Sequence, residues 1–501
     1  MVRQLKQYWN ERPLATIMLI GLFARIIAIL FFRGYGMHDD HFMVAEQAQK
    51  FIDKTSDNNW LPVEMGGSAL KPSGNNWFYT GIVYVLFSFL EWFGIQGPEG
   101  KMGFFRLFHS LFSLGIIYYS YRIADYKFGE KIAKKVGLYL ALSFLFVWVS
   151  VLSLHEATCL PLILAAVWFV IKAQRREKLT YYIIAGLLAG LSMGIRIQVA
   201  LIIGGVGLFL LIDKKFWKAL LFGFSTLVMY SFTQISDLFV WGIPFAQTLG
   251  YIGFNSKHYN EFITMPWYNY FFTLVGFLGI PLSVFLMFGF GRGVKKNLML
   301  FIPTVLFFAF HSFYPNKQER FIISIIPFIV ILGYGGWEAF REKSTYWTKN
   351  IKFYKTLTSI FWSINIILLL LLSTSYMKKS RIESMLYLSQ QKEFTNFIYD
   401  GSMGASAPML PLFYLGSWEQ YFIVNGEIEE RLKGINNLPE DKHPNYLILS
   451  ENKFLKERED IYKSYFPNMR LEKTIQPGLF DQLLFKVNPV NKNHTCFIYR
   501  L

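Results

Sequence analysis

His38-Asp39-Asp40-His41-Phe42 places two adjacent carboxylates and two imidazoles a few residues after the first long apolar segment, near 14–32. Acidic pairs at the mouth of a membrane span are costly unless they serve a purpose. A carboxylate in that place is suited to take a proton from a hydroxyl presented at the membrane surface. Further polar groups follow: Glu46, the pair His155-Glu156, Arg196, the run Lys257-His258-Tyr259, and Lys317 and Arg320 within HSFYPNKQER (311–320). Carboxylates at 39, 40 and 156 set against cations at 196, 257, 317 and 320 are what transfer from a phosphate-linked donor requires. The carboxylate deprotonates the acceptor, while Lys and Arg bind the phosphate and stabilise its charge as it departs. A divalent metal is the rival use of residues 38–41. Neighbours on an extended segment point opposite ways, however, and cannot all reach one ion, so no metal is expected unless an Asp and a His find partners elsewhere. Taken singly, each of these groups is equally a solvated turn.

These residues need elements to bring them to one face, and composition says which kind. With 53% hydrophobic and 19% aromatic residues, the 501-residue chain reads as a polytopic α-helical membrane protein. The net charge of +16 would suit nucleic acid, but the basic residues collect in short loops between apolar runs, as in membrane proteins oriented by charge, and nucleic acid is not an expected partner. Two cysteines give no disulfide framework. Apolar runs long enough to cross about 30 Å of hydrocarbon lie near 14–32, 103–124, 136–153, 156–171, 181–196, 198–212, 217–236, 267–289, 297–313, 320–337 and 355–375.

The loops 126–135, 172–178, 213–218, 291–296 and 341–355 are all basic, which assigns them to the cytoplasm together with the N-terminus. The stretch 79–92 is short for a span and suits an interfacial or re-entrant helix. Leaving it outside keeps 33–102 as one outer loop and puts every polar turn named above on the outer face. The expectation is therefore about eleven transmembrane helices over 1–375. After residue 376 the apolar runs shorten and charges rise, so 376–501 reads as a small extracytoplasmic α/β domain with strands at 445–449 and 482–487.

The polar stretches, in order, resemble a known family. Asp39-Asp40-His41-Phe42 with Glu46 is similar to the Asp-Glu-x-aromatic motif and later Glu in the first outer loop of GT-C glycosyltransferases. The nearest resemblance is to the dolichol-phosphate-mannose-dependent mannosyltransferases of N-glycan and GPI-anchor assembly. Ser153-Leu154-His155-Glu156-Ala157 resembles the family's Asn-Ser-x-Glu hairpin, and 190–200 (GLSMGIRIQVA) its Gly-rich span with Arg before a polar residue. The loop 237–267 resembles one ending in Pro-Trp and an aromatic, and Asn316-Lys317-Gln318-Glu319-Arg320-Phe321 resembles His-Lys-Glu-x-Arg-Phe. Asp40 stands where the family carries Glu, Asn316 where it carries His, and Gln318 where it carries Glu.

The resemblance implies a GT-C fold and an inverting transfer of a hexose, mannose, from a polyprenyl-phosphate sugar to a glycan or glycolipid acceptor, with no cofactor. It implies Asp40 as general base with Asp39 beside it, and Lys317 and Arg320, joined by Arg196 or Lys257, on the donor phosphate. Glu156, His155, Glu46, His38 and His41 are left to orient or bind the acceptor. The departures point to a bacterial inner membrane, or to the endoplasmic reticulum in a eukaryote, with the active face extracytoplasmic. A lipid-linked glycan transporter, flippase or polymerase is the competing reading, and would place polar or broken segments at mid-bilayer. A non-enzymatic subunit of a glycan-assembly complex that keeps the fold is a third.

Overall fold

The computed structural model describes residues 2–36, 40–53, 77–261, 263–294, 297–401, 409–418, 421–426, 428–436, 439, 443–489 and 491–501. They form two compact units. One takes the described residues of Met1–Leu30, Leu61–Leu86 and Gly103–Ser373; the other takes those of Phe31–Trp60, Phe87–Met102 and Thr374–Leu501.

The first unit is helical. Five of its helices are long and apolar enough to cross a membrane: Pro13–Phe31, His155–Arg176, Phe216–Trp241, Glu319–Lys343 and Ile351–Ser373. A sixth crossing is available if Asn269–Leu278 and Leu282–Arg292, bent by 114°, count as one. Shorter apolar helices lie at Phe78–Trp92, Leu179–Ile195, Ile197–Ile212 and Leu298–Phe313. Two stretches with the sequence pattern of continuous spans are broken. One is the bent pair just named. The other breaks at Ser143, whose backbone is extended between Glu130–Leu142 and Phe144–Val149. Broken helices survive in lipid only where the freed backbone groups are re-satisfied, and Asn365 does this from the Ile351–Ser373 helix. Its amide donates to Leu142 O at 2.8 Å and its Oδ1 accepts from Phe144 N at 3.0 Å.

Close packing in this unit rests on glycine. Gly186, Gly190 and Gly194 recur every four residues on Leu179–Ile195 and face Phe216–Thr233. A Cβ at Gly190 would lie 2.4 Å from Thr226 O, and one at Gly186 2.5 Å from Phe222 O. With no solvophobic force between helices in lipid, such backbone approach is what holds them together. Arg25 and Glu338 inside the bundle are both hydrogen-bonded. Arg25, fully buried on Pro13–Phe31, donates to Ser113 Oγ at 2.7 Å and to Gly21 O at 3.1 Å. Glu338 gathers Lys135 at 2.7 Å, Arg341 at 2.8 Å and the Tyr354 hydroxyl at 3.2 Å, joining three helices at their basic ends.

The second unit contains a five-stranded mixed sheet. Strands β1 (Arg33–Gly34) and β2 (Tyr376–Met377) pair on their own, and β3 (Phe397–Asp400), β4 (Phe422–Val424), β5 (Tyr446–Ser450), β6 (Arg470–Ile475) and β7 (Cys496–Arg500) form a sheet in the order β4-β3-β5-β7-β6. β3 runs parallel to β4 and β5, with Ile398 opposite Leu447, while β7 is antiparallel to β5 and β6. Ile398, Val424, Leu432, Leu447, Leu449, Tyr462 and Tyr499 make its core. β5 lies where the short apolar run at 445–449 predicts a strand. Residues 482–487 do not form one; they belong to the helix Leu479–Val487. Pro477-Gly478 ahead of it and Asp481 in its first turn are helix-start signals that outweigh the short apolar run. The β1–β2 pair ties the segment after the first span to the chain beyond the last. Gly34 is required there, since its φ is +87° and a Cβ would meet Met377 O at 1.9 Å.

Candidate active site

In the helical unit the sequence-separated charges meet. His155 and Glu156 open the His155–Arg176 helix, so Glu156 sits in its first turn, where a carboxylate is favoured by the helix dipole. Arg196 lies at the end of Leu179–Ile195 in extended backbone, and Arg320 in the tight turn leading into Ile326–Lys343. All three are buried. Arg196 reaches Glu156 Oε1 at 2.9 Å and Arg320 Nε stands 4.0 Å from the same oxygen. The Arg196 guanidinium also lies 5.3 Å from the Phe321 ring centre. Arg196 pairs with the carboxylate at short range and Arg320 stands further off, so one negative charge offsets two buried positive ones only in part.

Lys317 has a different setting. Its ammonium donates to the carbonyls of His311 at 3.1 Å, Ser312 at 2.8 Å and Tyr314, which are the carbonyls left unpaired where Leu298–Phe313 ends. It therefore caps a helix with all three protons, and burial holds it below the usual lysine range. Its Nζ lies 5.4 Å over the Tyr270 ring, and the Tyr270 hydroxyl bonds both the N–H and the carbonyl of Gln318. Lys257 ends the helix Ala246–Lys257 on an exposed face, and no contact among the described residues joins it to Glu156, Arg196 or Arg320.

Next to Glu156, the ring of His155 meets Tyr79 edge-on with centroids 5.1 Å apart. The Tyr79 hydroxyl bonds His109 Nε2, which Thr158 Oγ1 also approaches at 3.3 Å. Sequence reading did not single out Tyr79, His109 or Gln198, and marked Gln318 only as a departure from the family's Glu. A short helix ending in EW and a histidine inside an apolar run carry no signal of partnership before the fold brings them together.

Asp40 belongs to the second unit, where it is buried and opens a π-helical turn, His41–Glu46, followed by the helix Gln47–Asp53. Such turns hold one residue more than an α-helical turn and concentrate at functional sites. His41 is buried and stacked on Tyr35 with centroids 4.3 Å apart, with Tyr414 5.8 Å away at a similar tilt. Its Nε2 is 4.0 Å from Glu46 Oε2, an oxygen that also accepts from Phe413 N at 3.4 Å. His41 and Glu46 are thus fixed in a packed aromatic setting, and Asp40 beside them is buried and not in a solvated turn. His38 and Asp39 lie outside the described residues. Among the described residues no group of three or more His, Cys, Asp or Glu side chains gathers to hold a metal.

A helical membrane unit with a buried Glu-Arg-Arg cluster, joined in one chain to a mixed α/β unit, is the GT-C class of glycosyltransferase. The structure matches ArnT from Cupriavidus metallidurans bound to undecaprenyl phosphate over 97% of this chain and 98% of that one, with a TM-score of 0.62 at 13% identity. It also matches the Archaeoglobus fulgidus oligosaccharyltransferase in complex with Zn and sulfate, over 90% of this chain and 69% of that one, with a TM-score of 0.52 at 12% identity. At such identities these likenesses show the fold alone. No curated protein sequence matches the chain. Residues 16–401 match the model of the Alg9-like mannosyltransferase family, and the chain belongs to that family.

Proposed function

We propose that the protein moves a hexose, mannose, from a polyprenyl-phosphate-linked donor to a glycan or glycolipid acceptor, with inversion, on the extracytoplasmic face of a bacterial inner membrane. The observation that carries this reading is the Glu156 carboxylate shared by Arg196 and Arg320 in a buried setting, with Lys317 three residues before Arg320. Membership in a mannosyltransferase family supports the sugar, and ArnT, which shares the fold, has a structure bound to undecaprenyl phosphate. Crossings by Pro98–Phe128, by the broken pair Glu130–Leu142 and Phe144–Val149, and by the shorter helices Leu179–Ile195, Ile197–Ile212 and Leu298–Phe313 would bring the six to about eleven, with Phe78–Trp92 and 376–501 outside.

In this mechanism Asp40 takes the proton from the acceptor hydroxyl as its oxygen forms a bond to the anomeric carbon. The bond from that carbon to the phosphate oxygen breaks on the opposite side, which inverts the centre. The polyprenyl phosphate leaves with the electron pair, and Arg196 and Arg320 stabilise the charge it gains. Lys317 contributes charge from its capped position. Glu156 holds the two guanidiniums near one another by offsetting their mutual repulsion, and His155, His41 and Glu46 orient the acceptor. Liposomes containing the purified protein, offered polyprenyl-phosphate mannose and a glycolipid acceptor, should form product. Asp40→Asn should lower the rate about 10²- to 10⁴-fold, the usual contribution of a positioned base. Undiminished transfer by that variant would remove Asp40 from the role, and absence of transfer by the wild type with every polyprenyl-phosphate sugar would favour a transporter or a non-catalytic subunit.

A further inference from the structure

The helical stretch that continues from Asp40 is held along one face by a single segment of the α/β unit. Residues 409–418 lie in the connection from β3 to β4, past the part of the chain that the family model matches. Tyr414 stands over the His41 ring with centroids 5.8 Å apart at 20°, and Phe413 N donates to Glu46 Oε2 at 3.4 Å. Gly416, with φ of +74°, then turns the chain as a side chain would resist. Trp418 follows and returns to the helix, where its Nε1 donates to Asp53 Oδ2 at 2.7 Å and its ring carries the Lys50 ammonium 5.1 Å from the centre.

Glu46, Lys50 and Asp53 are spaced by four and three residues, which puts them on one helix face. The segment therefore follows that face for two turns, starting beside Asp40. The π-helical turn His41–Glu46 is a rare arrangement, and the segment touches both its first and its last residue. Lys50 is half-buried, and burial holds it below the usual lysine range while Glu46, one turn earlier, opposes. Gln49 secures the far end from another side: it donates to Asp53 Oδ1 at 2.9 Å and to Glu91 Oε1 at 3.0 Å, and accepts from the buried Lys101 at 2.7 Å. Asp53 is thus fixed before it receives the indole.

We propose that residues 413–418 are a positioning strap, in which Trp418, by clasping Asp53 and Lys50, holds the helical stretch 41–53 and so fixes the direction of the Asp40 carboxylate. This rests on the reading of Asp40 as general base. The strap serves the proton transfer and not the donor phosphate. Its loss lowers turnover and leaves phosphate affinity alone, whereas a general loosening of the protein would alter both.

The full chain provides the test. Trp418→Phe keeps a ring over Lys50 and loses the indole donor. In hydrogen exchange read by mass spectrometry, amides of 41–53 should exchange about tenfold faster than in wild type, the worth of one hydrogen bond to a charged group. Amides of 155–176 should not change. Turnover in the liposome assay should fall about tenfold as orientation is lost, while the affinity for polyprenyl monophosphate, from melting temperature against ligand concentration, stays at the wild-type value. Asp53→Ala should act in the same way, and the double variant should be no worse than Asp53→Ala, since both break one link. Unchanged exchange at 41–53, or undiminished turnover with that stretch loosened, would overturn the proposal. So would equal loosening at 155–176, a fall in phosphate affinity in step with turnover, or additive losses in the double variant. If wild type transfers no sugar, the reading of Asp40 falls with the catalytic half of the proposal, and the exchange pattern still decides whether the strap holds the helix. Should Trp418→Phe not fold, Asp53→Ala makes the comparison alone.

Discussion

Glu156→Gln should destabilise the helical unit and make it depend on anions. At an effective dielectric of about 20, contacts of 2.9 and 4.0 Å from one carboxylate to two guanidiniums are worth roughly 6 and 4 kcal/mol before desolvation. Desolvating three buried charges cancels most of that gross gain, so the intact cluster contributes little net stability. Removing one partner is another matter, because the arginines keep their desolvation cost and lose their shared counter-charge; such changes cost about 3–5 kcal/mol. For a unit of this size that corresponds to a fall in melting temperature on the order of 5–10 °C. Tryptophan fluorescence during a thermal ramp in detergent would read it. Polyprenyl monophosphate should raise the melting temperature of the variant more than that of the wild type, since the phosphate supplies the missing negative charge. Replacing Glu156, Arg196 and Arg320 together by Leu, Met and Met should recover most of the loss, because no stranded charge remains. A Glu156→Gln variant that melts with the wild type, and gains no more from the lipid phosphate, would refute the reasoning.

Gly190→Ala should separate Leu179–Ile195 from Phe216–Thr233, since the new methyl would press on Thr226 O. A cost of about 1–3 kcal/mol or more is expected, visible as a lower melting temperature, and a stable variant would show that the helices are not held by backbone contact. In the second unit Lys378 is pushed down to about 8 from an ordinary 10.5, by burial first and then by the charge of Arg381, with Asp481 opposing. The folded protein thus releases this proton before the unfolded chain does, so between pH 8 and 10.5 the unfolded state binds more protons and stability rises with pH. Lys378→Met should therefore be more stable than wild type at pH 7, with an advantage that shrinks as pH climbs through that window; an advantage independent of pH would contradict the assignment.

Apolar runs and basic loops were enough to find most helices of the first unit, because hydropathy and charge are written locally. Motif order was enough to pick out Glu156, Arg196 and Arg320, which the structure brings to one place. Three things were not legible. The break at Ser143 depends on Asn365, more than two hundred residues away, and a sequence pattern cannot show a side chain resealing a distant helix. The cap that Lys317 places on Leu298–Phe313 is not written in its motif, since only coordinates reveal where three ammonium protons point. The hydrogen bonds of Gln198 Oε1 with Arg196 Nε and of Gln318 Oε1 with Arg320 Nε are not written in the motifs either, although the departure from Glu marks position 318. The helix at Leu479–Val487 was misread for a simpler reason, since an apolar hexapeptide has no period long enough to separate helix from strand.

The turn that follows Asp40 carries one residue beyond the α-helical count, so it is the kind of place where a single-codon change has an all-or-none effect. Deleting any one residue of His41–Glu46 would let the chain close into a regular helix with Gln47–Asp53 and swing Asp40 by about 100° about the helix axis. The carboxylate would survive in the sequence and be lost to its direction. Lineages that share this fold can therefore be sorted by insertion and deletion at this turn, and a copy one residue shorter here would be expected to keep the scaffold while no longer presenting Asp40 as this one does.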